Sequence, residues 1–468
     1  MLFNSVDFLI FFSIFFFLFY FFSGINRKIL LLIGSSLFYM WFIPAYILIL
    51  FLIIAIDYYA AKKIEDTHSK KAKKRLLIWA IVNTCLVLFI FKYNNFFIDN
   101  FNALGFHQVK HWHIILPIGL SFHTFQSLSY VIEVYRGNFK AERNLLTYSN
   151  FVMMFPQLVA GPIERANNLL PQLKKCDHII TSKDLSIGML QFFWGLFKKA
   201  VVADTLSSFV NAAYGMYQFQ PGSVLLAGTI LFAIQIYCDF SGYSDMAIGI
   251  ARMLGFKFRD NFKLPYFSKD ITEFWRRWHI SLSTWLRDYI YIPFGGSKRS
   301  KWRTHVNLLL TMLIGGFWHG ASWNFIIWGG FNGLYLSFER LIKIHQLRPR
   351  NIVTKSIRIL YTFTLISFSW IFFRSETFAQ SVTILKKIGL DFSLQKFWFW
   401  DLSIYPSIIV GLSILFGFEY FILRKQTFDQ LYEKKNRKIV FCSLTVFFIL
   451  VTILSGNSNG SQFIYFQF

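Results

Sequence analysis

Apolar runs of about 20 residues recur along this 468-residue chain, and short loops rich in lysine and arginine separate them. A run of that length, wound as an α-helix, crosses a hydrocarbon layer roughly 30 Å thick. Only 15% of the residues are charged, whereas soluble domains carry roughly 25%. The runs are continuous, while the strands of a membrane β-barrel alternate apolar and polar positions over about 10 residues. The sequence therefore predicts an all-α, polytopic membrane protein.

Eleven segments have the length and apolar character of membrane-crossing helices. They are 6–23, 28–43, 45–60, 76–98, 114–134, 223–250, 305–319, 322–340, 357–374, 404–423 and 438–455. Three other apolar segments, 148–160, 185–202 and 271–292, are shorter or amphipathic, which predicts re-entrant or interfacial helices. No internal repeat or linker is evident, so we predict one membrane-embedded domain over 1–468, with a motif-rich core at about 114–340.

The positions of lysine and arginine predict the orientation, because cytoplasmic loops of membrane proteins carry an excess of both. The loops predicted to be cytoplasmic are 62–75, 340–358 and 424–438, and those predicted to lie outside are 375–403 and 455–468. The same excess explains the net charge of +24, so no nucleic-acid partner is predicted. The first apolar run lacks a preceding basic flank and a following cleavage site, which predicts a retained helix.

His319 lies near the middle of the apolar stretch 306–338, directly after Trp318. An ionisable side chain at membrane depth is costly, so the usual explanation is a functional site that faces a cavity. Imidazole is well matched to proton transfer near neutral pH, and burial favours its neutral, basic form. A structural histidine bonded to a neighbouring carbonyl is the alternative that position alone leaves open.

A second histidine, His279, follows Trp-Arg-Arg-Trp in a segment that is predicted to be helical. On a continuous helix Trp275 and His279 share a face, and Glu273 is placed to pair with Arg277. This arrangement fits the polar edge of a catalytic tunnel, with Arg276 and Arg277 near an anionic donor. It also fits an interfacial helix with an aromatic belt and snorkelling arginines, which composition alone favours.

Two acids, Asp239 and Asp245, interrupt an apolar helix. They do not share one helical face, so a pair of catalytic carboxylates is not predicted; either acid has a direct role or forms a structural ion pair. The arginines considered as partners are Arg276, Arg277 and Arg287. Gln126 is also predicted to be a structural polar group beside a cavity. None of the histidine, cysteine or acidic spacings fits a metal site, and none is predicted.

A basic turn that contains Lys298 and Arg299 precedes the His319 stretch. It fits either the binding of donor phosphates or the ordinary cytoplasmic end of a membrane helix.

Several of these stretches together resemble the membrane-bound O-acyltransferase family, and most closely its bacterial alginate O-acetyltransferase branch. The residues that carry the resemblance are 117–126, 155–163, 239–249, 273–283, 318–323 and 463–468. Asn332 departs from the pattern, since a second histidine is expected there, and His123 stands where an aromatic residue is more usual. The resemblance implies a ring of about eleven transmembrane helices, with re-entrant helices, around a central tunnel.

The resemblance also implies that His319 is the catalytic histidine and His279 the family's other signature polar residue. It implies an acyl group, usually acetyl, that passes from a cytosolic thioester such as acetyl-coenzyme A to a polysaccharide outside a bacterial inner membrane. A separate periplasmic protein is expected to complete the transfer, and no bound cofactor is implied. The residues expected near the donor are Arg276, Arg277, Trp318, Asn324, Lys298 and Arg299.

Other functions stay open on the sequence alone. D-alanyl transfer to teichoic acid and acylation of a lipid or protein use the same chemistry, and alginate, peptidoglycan or another exopolysaccharide is an equally possible acceptor. A transporter usually shows repeated halves with broken helices, and the sequence shows neither. A non-catalytic scaffold for envelope enzymes is the remaining alternative.

Overall fold

The computed structural model describes residues 1–105, 108–176, 180–344, 347, 349–393, 404–424, 427–433, 437–456 and 463–464. Throughout these ranges the regular structure is helical, and no strand occurs in them, which confirms the all-α prediction. The chain divides into two compact units, Met1–Met189 with Met246–Arg259, and Leu190–Asp245 with Asp260–Phe468. The single domain over 1–468 stays a prediction, and tail residues 465–468 lie outside the described residues.

The first unit consists mainly of nine helices. They are α1 (Val6–Phe21), α2 (Gly24–Met40), α3 (Ile47–Asp66), α4 (Lys70–Leu88), α5 (Asn94–Ala103), α6 (Leu120–Tyr135), α7 (Leu145–Met153), α8 (Phe155–Leu158) and α9 (Ala166–Lys174). Helix α3 packs against α4 and α6, and α2 packs against α7. Gln126 is buried in α6 and donates from Nε2 to the carbonyl of Phe151 at 2.6 Å, which fits the structural role predicted for it.

Twelve helices follow in the rest of the chain. They are α10 (Ser182–Leu196), α11 (Asp204–Gly215), α12 (Gly222–Met253), α13 (Ile271–Arg277), α14 (Ile280–Leu286), α15 (Lys301–His319), α16 (Trp323–Leu341), α17 (Ile352–Arg374), α18 (Phe378–Leu390), α19 (Ile404–Phe418), α20 (Phe428–Tyr432) and α21 (Arg437–Ser455). Two of the three unit boundaries fall within α10 and α12, and the third falls between α12 and α13. In the second unit, α15 and α16 form an antiparallel pair, and α17 packs against α16.

Seven helices in the described ranges are long and apolar enough to cross a membrane. They are Pro44–Asp66, Lys70–Ala103, Ser182–Gly215, Gly222–Met253, Ile352–Arg374, Pro406–Leu423 and Lys438–Ser455. Six of them coincide with predicted spans. The other predicted spans correspond to α1, α2, α6, α15 and α16, which are 16 to 19 residues long. The count of eleven spans stays a prediction.

The segment 185–202, which was predicted to be a short re-entrant or interfacial helix, is longer in the structure than predicted. It belongs to a continuous helix of 34 residues, Ser182–Gly215, in which a π-helical stretch, Phe197–Ala203, joins α10 to α11. The predicted segment was shorter because Lys198 and Lys199 interrupt the apolar run. Both lysines are buried beside acidic partners, and such pairing lets a charged side chain reside inside a membrane protein.

The extra helix also changes the predicted topology. Because eleven is an odd number, eleven crossings would place the two ends of the chain on opposite sides of the membrane. The basic loops instead predict that both ends lie outside. A twelfth crossing, at Ser182–Gly215, would remove this conflict between the predictions. It would also place the basic stretch 252–303 on the side that is predicted to be cytoplasmic.

Cysteine labelling at Phe219 tests this topology. Phe219 is 84% exposed in the loop between α11 and α12, so we expect a membrane-impermeant thiol reagent to label Phe219→Cys from outside. Lys257→Cys serves as the control, because its exposed position on the basic stretch is expected to react only after permeabilisation. Both substitutions are made in a protein in which the exposed Cys85 and Cys442 have been replaced, so that neither reacts with the reagent. Labelling of both positions only after permeabilisation would contradict the twelfth crossing.

Candidate active site

His319 is the last residue of α15, and two glycines bring that helix close to α16. A Cβ atom added to Gly316 would lie 2.2 Å from the carbonyl oxygen of Phe325, and one added to Gly329 would lie 2.3 Å from that of Met312. Real Cβ atoms do not approach backbone that closely, so only glycine permits this packing. The contact holds the end of α15, and therefore His319, against the adjoining helix.

Aromatic side chains surround His319, whose relative exposure is 4%. Its ring centroid lies 5.1 Å from that of Trp328 and 5.6 Å from that of Phe373, both edge to face. Trp318 lies 5.0 Å away. The imidazole is therefore enclosed mainly by aromatic rings.

His279 lies next to His319, with their ring centroids 6.3 Å apart. It is fully buried, and its ring packs edge to face on Phe240 at 4.6 Å. Its backbone is left-handed, with φ 42°, which non-glycine residues adopt rarely and histidine more readily than most. The structure thus brings together the two histidines that the sequence predicted, although 40 positions separate them.

A continuous helix through His279 was predicted, and that prediction is wrong. Helix α13 ends at Arg277 and α14 begins at Ile280. Asn261 explains the break, because its carbonyl accepts from the backbone of Ile280 at 2.8 Å and its Oδ1 accepts from Ser281 Oγ at 2.8 Å. Asn261 was not predicted from the sequence, since its partners lie about 20 positions along the chain and no local pattern connects them.

A cavity of about 620 Å³ lies among α13, α14, α15 and α16. Three arginines line it, namely Arg276, Arg287 and Arg340. The hydroxyl side chains in its wall are Thr272, Ser283, Thr284, Tyr291, Ser297 and Thr311. Guanidinium groups and hydroxyls are suitable donors to phosphate oxygens.

Two tryptophans connect this cavity to His319. Trp275 lines the cavity, and its ring packs edge to face on Trp328 at 5.8 Å. Trp328 in turn contacts His319. Trp275 and Trp328 therefore form a series of ring contacts from the cavity wall to the histidine.

The residues predicted near the donor occupy different positions. Arg276 lines the cavity, whereas Arg277 pairs with Glu273 at 2.6 Å, as the helical spacing predicted. Trp318 packs against both histidines, with its ring centroid 6.1 Å from that of His279 and 5.0 Å from that of His319. The other three residues also lie outside the cavity wall. Asn324 donates from Nδ2 to the Ser375 carbonyl at 2.8 Å. Lys298 and Arg299 are exposed beside Ser297. Sequence reasoning missed Arg340, and it considered Arg287 only as an ion-pair partner.

The arginine partners predicted for the two acids of α12 are wrong. Asp239 lies 2.7 Å from Lys199, and Asp245 lies 2.5 Å from Lys198. Lys199 also pairs with Asp204 at 2.8 Å. The lysines take this role because the π-helical stretch that carries them packs along α12, whereas the arginines face the cavity or Glu273. These ion pairs join the π-helical stretch to α12.

Asn332, which departs from the family pattern, has a structural position. It is buried, and its Nδ2 donates to the Trp328 carbonyl at 2.9 Å within the same helix. Among the described residues, no three histidine, cysteine or acidic side chains come together in an arrangement that suits a metal ion.

Comparison with known proteins places these features in a family context. The family model described as MBOAT, membrane-bound O-acyltransferase family, matches residues 29–383. The chain is 41% identical over 383 residues to the probable alginate O-acetylase AlgI of Pseudomonas aeruginosa, a match that covers 80% of this chain and 72% of that protein. It is 35% identical over 392 residues to the peptidoglycan O-acetyltransferase of Helicobacter pylori, covering 78% and 74%. It is 27% identical over 286 residues to the teichoic acid D-alanyltransferase of Bacillus subtilis, covering 58% and 72%.

Proposed function

The chain belongs to the membrane-bound O-acyltransferase family, and on this premise we propose that it moves acetyl groups from a cytosolic thioester to a cell-envelope polysaccharide. It is an O-acyltransferase with several membrane-crossing helices. Relatives at 41% and 35% identity are named for alginate and peptidoglycan acetylation, while the D-alanyltransferase relative is 27% identical. This difference favours acetyl over D-alanyl as the transferred group. The proximity of buried His319 to the arginine-lined cavity carries the mechanistic part of the proposal.

The cavity is the proposed donor site. Its volume of about 620 Å³ lies within the range of roughly 300–1,000 Å³ that is usual for small-molecule sites. The arginines suit the phosphates of acetyl-coenzyme A, which stay near the cytoplasm because their charge cannot enter hydrocarbon. The thioester end would extend past Trp275 and Trp328 to His319. Transfer then requires only the small acetyl group to pass the membrane midplane.

His319 is proposed to act as the general base. Its neutral imidazole takes the proton from an acceptor hydroxyl as that oxygen attacks the thioester carbonyl. The carbon–sulfur bond then breaks, and the imidazolium returns the proton to the departing thiolate. His279 is proposed to orient the acceptor beside it. Backbone N–H groups or the second Nδ2 proton of Asn324 are candidates to stabilise the oxyanion.

The proposal extends to the cellular setting. We place the protein in a bacterial cytoplasmic membrane, with the acceptor outside and a periplasmic partner protein that completes the transfer. Alginate and peptidoglycan are the acceptors suggested by the names of the relatives.

Thiol release from acetyl-coenzyme A tests the proposed function. The full chain, reconstituted in lipid nanodiscs, is expected to release free thiol, and addition of acetylatable polysaccharide with the periplasmic partner should increase the rate. Release of D-alanine from a charged carrier protein, without any release from acetyl-coenzyme A, would contradict the acetyl assignment. Acetylated polysaccharide identified by mass spectrometry would establish the acceptor.

Removing a cavity arginine tests the donor site. Arg340→Ala is expected to raise the KM for acetyl-coenzyme A about tenfold, which corresponds to the loss of about 1.4 kcal/mol of binding free energy, with little change in kcat. Arg299→Ala is the matched control, because Arg299 is exposed and does not line the cavity. An equal rise in KM for Arg299→Ala would instead assign the donor phosphates to the basic turn.

A further inference from the structure

Glu339, near the end of α16, is fully buried although its side chain is ionisable. Its two carboxylate oxygens accept from the backbone N–H of Ile271, at 3.0 and 2.9 Å. This N–H group belongs to the first turn of α13, where a helix has no internal acceptor for it. Glu339 therefore supplies from α16 an acceptor that the start of α13 lacks.

Helix α17 holds the same end of α13 from another direction. Arg358 pairs with Asp270 at 3.2 Å, and its Nε donates to the carbonyl of Lys269 at 3.0 Å. The Asp270 side chain in turn caps α13, accepting from the backbone of Glu273 at 2.7 Å. The beginning of α13 is thus fixed to two longer helices by hydrogen bonds that are largely shielded from water.

These contacts matter for the cavity because α13 and α16 form two of its walls. Trp275 and Arg276 project from α13, and Leu336 and Arg340 project from α16. Glu339 precedes Arg340 directly, and Ile271 lies one turn before Trp275. The hydrogen bonds that Glu339 accepts from Ile271 therefore join the two arginine-bearing walls directly.

We propose that Glu339 is a positioning residue that sets the spacing of the donor cavity, so that Arg276 and Arg340 engage one donor molecule together. This inference rests on the proposed function of the cavity. The side chain must be long enough to reach the backbone N–H of Ile271, and it must end in an acceptor oxygen. A shorter acidic side chain keeps the carboxylate but loses the contact, whereas glutamine keeps the length and one acceptor.

The kinetic test compares three substitutions by thiol release from acetyl-coenzyme A in nanodiscs. Glu339→Ala and Glu339→Asp are expected to raise the donor KM about tenfold or more, and Glu339→Gln is expected to restore most of the wild-type value. A residue that only stabilises the fold would lower the amount of active enzyme and leave the KM of the folded fraction unchanged. Glu376→Ala, which removes an exposed carboxylate outside the cavity, is the control.

Hydrogen exchange measured by mass spectrometry tests the contact independently of the donor. Exchange at 268–279 is expected to accelerate in Glu339→Ala and to stay near the wild-type rate in Glu339→Gln, with the remaining helices unchanged. Unchanged exchange in Glu339→Ala, or an unchanged donor KM, would overturn the positioning role. If wild-type protein released no thiol from acetyl-coenzyme A, the proposed function would fail, and the exchange measurement would still decide whether Glu339 holds α13.

Discussion

Replacement of His319 by alanine is expected to lower kcat for acetyl transfer about 10²–10⁴-fold, the usual contribution of a general base. The reason is that alanine removes the imidazole that accepts the hydroxyl proton, while the cavity arginines that bind the donor remain. The donor KM is therefore expected to change much less than kcat. Steady-state thiol release by the purified variant in nanodiscs, together with acetylated product, measures both quantities.

His305→Ala provides a matched control for this experiment. His305 lies on the same helix, 14 residues before His319, and does not line the cavity. The control should retain nearly full activity, and both variants should show similar thermal unfolding. If His319→Ala kept its activity, or if His305→Ala lost as much activity as His319→Ala, the assignment of His319 as the base would be wrong.

Replacement of Lys199 by alanine is expected to cause the largest loss of stability. Lys199 is buried and lies within 2.8 Å of both Asp204 and Asp239, which are themselves fully buried. Loss of one partner from a buried ion pair costs about 3–5 kcal/mol, because the remaining charge has no compensation away from water. Unfolding of the reconstituted protein, followed by intrinsic tryptophan fluorescence, measures the change.

Arg143→Ala is the comparison for this prediction. Arg143 also pairs with two acids, Glu65 and Asp66, but it is more than half exposed. Exposed ion pairs contribute little, because water screens the charges. The two variants are therefore expected to differ clearly in stability. Equal stability would show that the buried lysine does not hold α12 against its neighbouring helix.

The site could be predicted from the sequence only to the extent that single residues were unusual for their surroundings. His319 was identifiable because a titratable side chain within an apolar run is costly and needs an explanation. The pair of Glu273 and Arg277 was predictable because residues four apart on a helix are neighbours. The left-handed backbone at His279 was not predictable, because it accompanies hydrogen bonds that Ile280 and Ser281 donate to Asn261 in a preceding loop.

The class of the molecule was determined by the sequence alone. Hydrocarbon cannot satisfy backbone N–H and C=O groups, so long apolar runs in a polytopic chain must be helical whatever their neighbours are. The same local logic identified most of the spans that the structure contains.

Only the tertiary structure decided which charged groups face each other. Lys198 and Lys199 form ion pairs with the two acids of α12. Arg340 lines the same cavity as Arg276. Glu339 accepts a hydrogen bond from the start of a helix 68 positions earlier in the chain. The physical reason is that a buried charge is tolerated when the fold supplies its partner. Such partners come from helices distant in sequence, so their identity follows from packing and not from any local pattern.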